Sequence, residues 1–146
     1  MHDLPRQLDR GQLAGLFEGD TALVRRLAEV EDPLGQARRI ARGLSEAEKL
    51  EALDAHPPIG ARAGLSARSA AEQGGDAGPE VLAELARLNR EYEDHFGFRF
   101  VVFVNRRPKA EILEVLRERI GRPREEELDT AVEELVAIAE DRWRRS

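Results

Sequence analysis

His56 stands at the end of an apolar-periodic run, in DAHPPIG, with two prolines directly after it. Proline disfavours helical geometry in the residue before it, so a helix must end near His56 and the junction fixes the backbone that aims the imidazole. Histidine is also the natural proton carrier near neutral pH. The plainer reading is a helix-terminal histidine interacting with the dipole, and spacing alone favours it modestly. His2 lies in the N-terminal tail, and for His95, at another helix end, capping is the expected role. The three histidines share no ligand spacing, so no metal site is expected.

Ser69, Glu72 and Gln73 form a second group, in SARSAAEQGG. Ser69 and Glu72 have the spacing of a capping box, and on sequence alone that role is favoured. The functional alternative turns a hydroxyl, a carboxylate and an amide toward a pocket at a helix N-terminus, where free N–H groups also suit an anion. Arg142 is the third candidate. It lies seven residues after Leu135 and four after Ile138, which puts a guanidinium on the apolar stripe of the last helix. Such a group needs an anionic partner, either an Asp or Glu of the protein or the carboxylate of a substrate. Phe100 to Val104 is the fourth: its side chains read as core, yet an extended segment could offer N–H and C=O groups to a flat polar heterocycle.

The elements that must position these residues are helices. Leu13, Leu16 and Phe17 open a short stripe, and Asp20 is expected to cap a helix carrying Leu23, Val24, Leu27 and Val30. After Pro33 the same period continues through Leu34, Ala37, Ile40 and Ala41. Ser45 and Glu48 have capping-box spacing ahead of Leu50 and Leu53. The Gly-, Pro- and Ala-rich stretch from Pro57 to Gly78 shows no stripe. Pro79 suits a first helical position, Val81, Leu85, Leu88, Tyr92 and Phe96 recur at helical spacing, and Gly97 is a C-terminal stop. Phe98 to Val104 reads as a lone buried strand. With no second strand to pair with, it must pair across a dimer or run extended or helical beside something else. Two further helices follow, one from Pro108 with Ile112, Leu113, Leu116 and Ile120, one after Pro123 with Leu128, Val132, Leu135 and Ala139.

Composition agrees. The chain has 146 residues, 41% hydrophobic, enough for one domain, 1–146, with its own core. Charged residues are 36% with the signs interleaved, as on solvated helix faces, and the net charge is −6. No basic block stands out, so nucleic acid is not an expected partner. Cysteine is absent, which excludes disulfides, thiolate metal sites and cysteine nucleophiles. No apolar leader and no stretch near the ~20 residues needed to cross a bilayer is visible, so a cytoplasmic protein with no membrane association is expected.

Five short motifs in order carry a resemblance: HPPIG from His56, SAAEQ from Ser69, NREY from Asn89, FGFRFVVFV from Phe96, and IAEDRW, which contains Arg142. Together, over roughly residues 44 to 143, they resemble the OHCU decarboxylase family, whose members convert 2-oxo-4-hydroxy-4-carboxy-5-ureidoimidazoline to (S)-allantoin in urate breakdown. The stretch between His56 and Ser69 looks shorter than in animal members, and the family's Arg-Pro-Phe is missing from the N-terminal half. The resemblance implies an all-α bundle of about six to nine helices, a homodimer, an anionic ureidoimidazoline substrate and no cofactor. It implies His56 and Glu72 as catalytic residues, and Pro57, Ser69, Gln73, Phe100, Val101, Val102, Phe103, Val104 and Arg142 around the substrate. Three other readings compete: a helical binding module, a metal-dependent hydrolase of a cyclic amide, and a decarboxylase of a related ureido or purine-derived acid. The first leaves the inward arginine and the His-Pro turn unexplained, and the second lacks a ligand cluster.

Overall fold

The computed structural model describes residue 5, residues 7–56 and residues 78–145. Among them are seven helices and no strand: α1 (Arg10–Phe17), α2 (Ala22–Leu27), α3 (Pro33–Arg42), α4 (Glu46–Asp54), α5 (Pro79–Phe96), α6 (Lys109–Arg119) and α7 (Arg124–Arg145). The fold is all-α, as the resemblance implies.

Local chemistry sets the boundaries. Ser45 and Glu48 close the expected capping box at α4, each side chain meeting the other's main-chain N–H. A second box, Asp9 with Gln12, starts α1. Its Asp-x-x-Gln spacing is legible in the sequence and went unread. Asp20 does not cap α2. Thr21 does, its hydroxyl accepting from the Val24 N–H, while the Asp20 carboxylate is taken by the Arg10 guanidinium. The Oγ of Thr21 sits three residues before that N–H, the separation an N-cap requires. Val30 falls beyond the end of α2. Pro79 is the first residue of α5, and Gly97 ends it in the left-handed conformation, φ +81°.

α7, 22 residues and about 33 Å long, is the spine of the bundle. α3, α1 and α4 pack along it, α2 bridges α1, α3 and α4, and α6 pairs with α5. The core runs through Leu13, Phe17, Leu23, Leu34, Leu53, Tyr92, Ile112 and Leu135, each at most 1% exposed. No helix among the described residues is long and apolar enough to cross a membrane.

Candidate active site

α4 ends one residue before the histidine. Ala55 is the C-cap, and the His56 N–H bonds back to the Leu53 carbonyl at 3.1 Å. The imidazole turns inward and is 5% exposed. Neither ring nitrogen has a hydrogen-bond partner among the described residues. Burial is the main reason its pKa falls to about 4, and the positive charges of Arg142 and Arg99 push the same way against the opposing pull of Glu18. The ring is therefore neutral at pH 7.

Arg142 has the inward position that its spacing predicts, with its side chain 2% exposed. Its Nη1 donates to the Leu16 carbonyl at 2.9 Å, and its Nη2 lies 3.1 Å from Oε1 of Glu18. Glu18 supplies a protein carboxylate, one of the two kinds of partner that the sequence allows. Glu18 follows α1 and is itself left-handed, φ 66°. Arg99 reaches the histidine from the other side of the chain. Its Nη1 donates to the carbonyls of Asp54, at 3.0 Å, and His56, which covers the carbonyl end of α4 where a cation is favoured.

Arg99 is the second residue of the stretch that reads as a lone strand. Of the alternatives that the sequence leaves open, residues 98–104 are not helical and pair with no strand among the described residues. Side chains replace the missing strand. Arg119 donates to the Val101 carbonyl at 2.8 Å, Glu134 accepts from the Phe103 N–H at 3.3 Å, and Arg107 donates to the carbonyls of Phe103 and Val104 at 2.6 and 3.1 Å. Phe98 and Phe100 share one side of the segment and meet the ring of Tyr92 at 5.8 and 5.1 Å. Arg119 lies over the Phe100 ring, 4.6 Å from its centroid, and forms a buried pair with Glu127 at 2.6 Å. The Tyr92 hydroxyl donates to the same carboxylate, and burial with that carboxylate beside it holds the phenol far above its ordinary pKa. The peptide groups of Phe100 and Val102 make no hydrogen bond with the described residues.

The structure thus brings together His56, Arg142 and, through Arg99, the start of the extended segment. Pro57, Ser69, Glu72 and Gln73 lie outside the described residues, as does His2. Sequence reasoning missed Glu18, Arg99, Arg119 and Glu127. His95 lies in the last turn of α5, its ring edge-on to Phe96 at 4.5 Å. Among the described residues no three His, Asp or Glu side chains gather as a metal site would need.

The site is thus a neutral, enclosed imidazole in the field of two guanidinium groups within a helical domain. Comparison with known proteins is specific. The model of the OHCU decarboxylase family matches residues 12–144, and the chain belongs to that family. A uric acid degradation bifunctional protein of Bacillus sp. (strain TB-90) is 31% identical over 139 residues, 87% of this chain and 27% of that protein. A 2-oxo-4-hydroxy-4-carboxy-5-ureidoimidazoline decarboxylase of Halalkalicoccus jeotgali is 35% identical over 99 residues, 65% of this chain and 56% of its relative. This chain therefore spans about a quarter of one relative and just over half of the other. The crystal structure of an OHCU decarboxylase in the presence of (S)-allantoin superposes with a TM-score of 0.73 at 27% identity, covering 90% of this chain and 94% of that one.

Proposed function

We propose that this chain is a carboxy-lyase that decarboxylates 2-oxo-4-hydroxy-4-carboxy-5-ureidoimidazoline to (S)-allantoin in urate breakdown. The observation that carries the proposal is His56, buried and neutral with both ring nitrogens unpartnered among the described residues, at the His-Pro junction of a chain in this family. In the reaction the bond to the carboxylate breaks, CO2 leaves, and the electron pair passes into the ring system. The hydroxyl on the same carbon becomes a carbonyl, and a proton must land on one face of the carbon that becomes the stereocentre. One proton is taken up from water overall. A neutral imidazole suits this sequence: it can take the hydroxyl proton and return it to carbon, with no cofactor required of the protein.

Arg142 and Arg99 supply positive potential for an anionic substrate beside that ring, in a site where burial weakens screening. Glu72 is the second catalytic group, and Pro57, Ser69, Gln73 and the main chain of residues 100–104 surround the substrate. The peptide groups of Phe100 and Val102, which make no hydrogen bond with the described residues, are the ones expected to hold the ring and ureido amides. The same reading makes the chain a single-domain cytoplasmic homodimer, and light scattering on the purified protein tests its mass.

The direct test feeds urate through urate oxidase and the hydrolase that follows, adds this protein, and records circular dichroism of the allantoin formed. One enantiomer should appear faster than in the blank. His56→Ala should cut that rate by about 10²–10⁴-fold, the usual weight of a general acid–base group. Racemic product at the blank rate with the wild-type protein would reject the substrate.

A further inference from the structure

Glu18 has no part in the sequence motifs, yet three features converge on it. Its backbone is left-handed at φ 66°, a conformation uncommon outside glycine and one that surrounding structure must hold in place. Its carboxylate, 14% exposed, pairs at 3.1 Å with a guanidinium that is 2% exposed. Two residues earlier, the Leu16 carbonyl accepts from the same guanidinium at 2.9 Å, so the C-terminal end of α1 grips Arg142 at two points. Carbonyls at a helix C-terminus favour a cation, and the added carboxylate makes the grip charge-matched.

We propose that Glu18 is a positioning residue for the His56 site: from the left-handed end of α1 it fixes the Arg142 guanidinium and offsets its charge at the imidazole. Among the described residues, the charged groups acting on His56 come from three elements, Arg142 on α7, Glu18 after α1 and Arg99 between α5 and α6, and of these Glu18 is the acid. Removing it takes a carboxylate at 3.1 Å away from a buried cation beside a ring that must accept a proton. The proposal rests on the catalytic reading of His56, but its electrostatic part needs no substrate.

The test follows the His56 ring by NMR in the full chain as pH is lowered, with its resonance identified by its loss in His56→Gln and folding of every variant checked by far-ultraviolet circular dichroism. Arg142→Gln should raise the His56 midpoint by roughly one pH unit or more, as loss of a nearby like charge does. Adding Glu18→Gln to that variant should bring the midpoint back down. Glu18→Gln alone should lower kcat for allantoin more than it raises KM. A midpoint that Glu18→Gln leaves unmoved in the Arg142→Gln background would overturn the proposal, even if the variant were less stable. Coupled midpoints in a wild-type protein that makes no allantoin would uphold the electrostatic link and reject the substrate.

Discussion

A single side chain decides the most at two places in this molecule. His56 is one, and its position was legible because Pro57 dictates where α4 ends. Arg142 was legible as an inward cation because it falls on the stripe of Leu135 and Ile138. Its partner was not, since the residues it grips lie 126 positions away at Leu16 and beside it at Glu18, and such pairing leaves no local pattern. Arg119 and Glu127 are the second place. The sequence singles out neither, but they are 3% and 0% exposed, and Arg119, paired with Glu127, donates to the Val101 carbonyl. Replacing Arg119 with Met leaves Glu127 buried and unpaired, which should cost about 3–5 kcal/mol in urea unfolding. Arg119→Met with Glu127→Leu should cost clearly less, because no charge is then stranded in the core. Equal losses for the single and double variants would show that the pair contributes packing alone.

Among elements, the helices were readable almost throughout. Caps and breakers announce themselves locally, as Ser45 with Glu48, Pro79 and Gly97 do. Residues 98–104 were not, because β-branched and aromatic residues describe burial as well as strand geometry. The chain stays extended there since Arg119, Glu134 and Arg107 supply the bonds that a neighbouring strand would have made. Gly97 is what lets α5 stop and the segment turn back along the Tyr92 face. A methyl group at Gly97 would meet open space, so Gly97→Ala isolates the backbone strain at φ +81°. The expected loss is about 1–2 kcal/mol of stability, read from the urea midpoint at an unchanged m-value. A loss near zero would mean that the turn relaxes to negative φ and does not fix the segment.

At the scale of the whole molecule, the imidazole is buried and held neutral by parts far apart in sequence: its own burial at the end of α4, Arg142 of α7 and Arg99, against the opposing pull of Glu18 after α1. Its proton affinity is therefore a measure of the complete fold. An unfolded-chain histidine has the ordinary pKa of about 6.5, and burial in the fold pushes that of His56 down to about 4. Between those values the unfolded chain binds a proton that the folded chain does not, so the unfolded state binds more protons and stability rises with pH. Above pH 6.5 both states are neutral at this ring and its contribution is flat. On acidification the protein should lose up to about 1.4 kcal/mol per pH unit across the window, on the order of 3 kcal/mol in all, from this residue. The depressed carboxyl pKa values of Asp20 and Glu48 also favour unfolding in acid, but they act at and below the ordinary carboxylate range. Comparing urea unfolding of the wild type and His56→Gln at about pH 5 and about pH 7.5 isolates the histidine. The wild type should lose more stability on acidification than the variant, whose amide does not titrate. Parallel losses would mean that water or a side chain beyond the described residues already stabilises the charged ring, and the neutral proton acceptor proposed for the reaction would have to be abandoned.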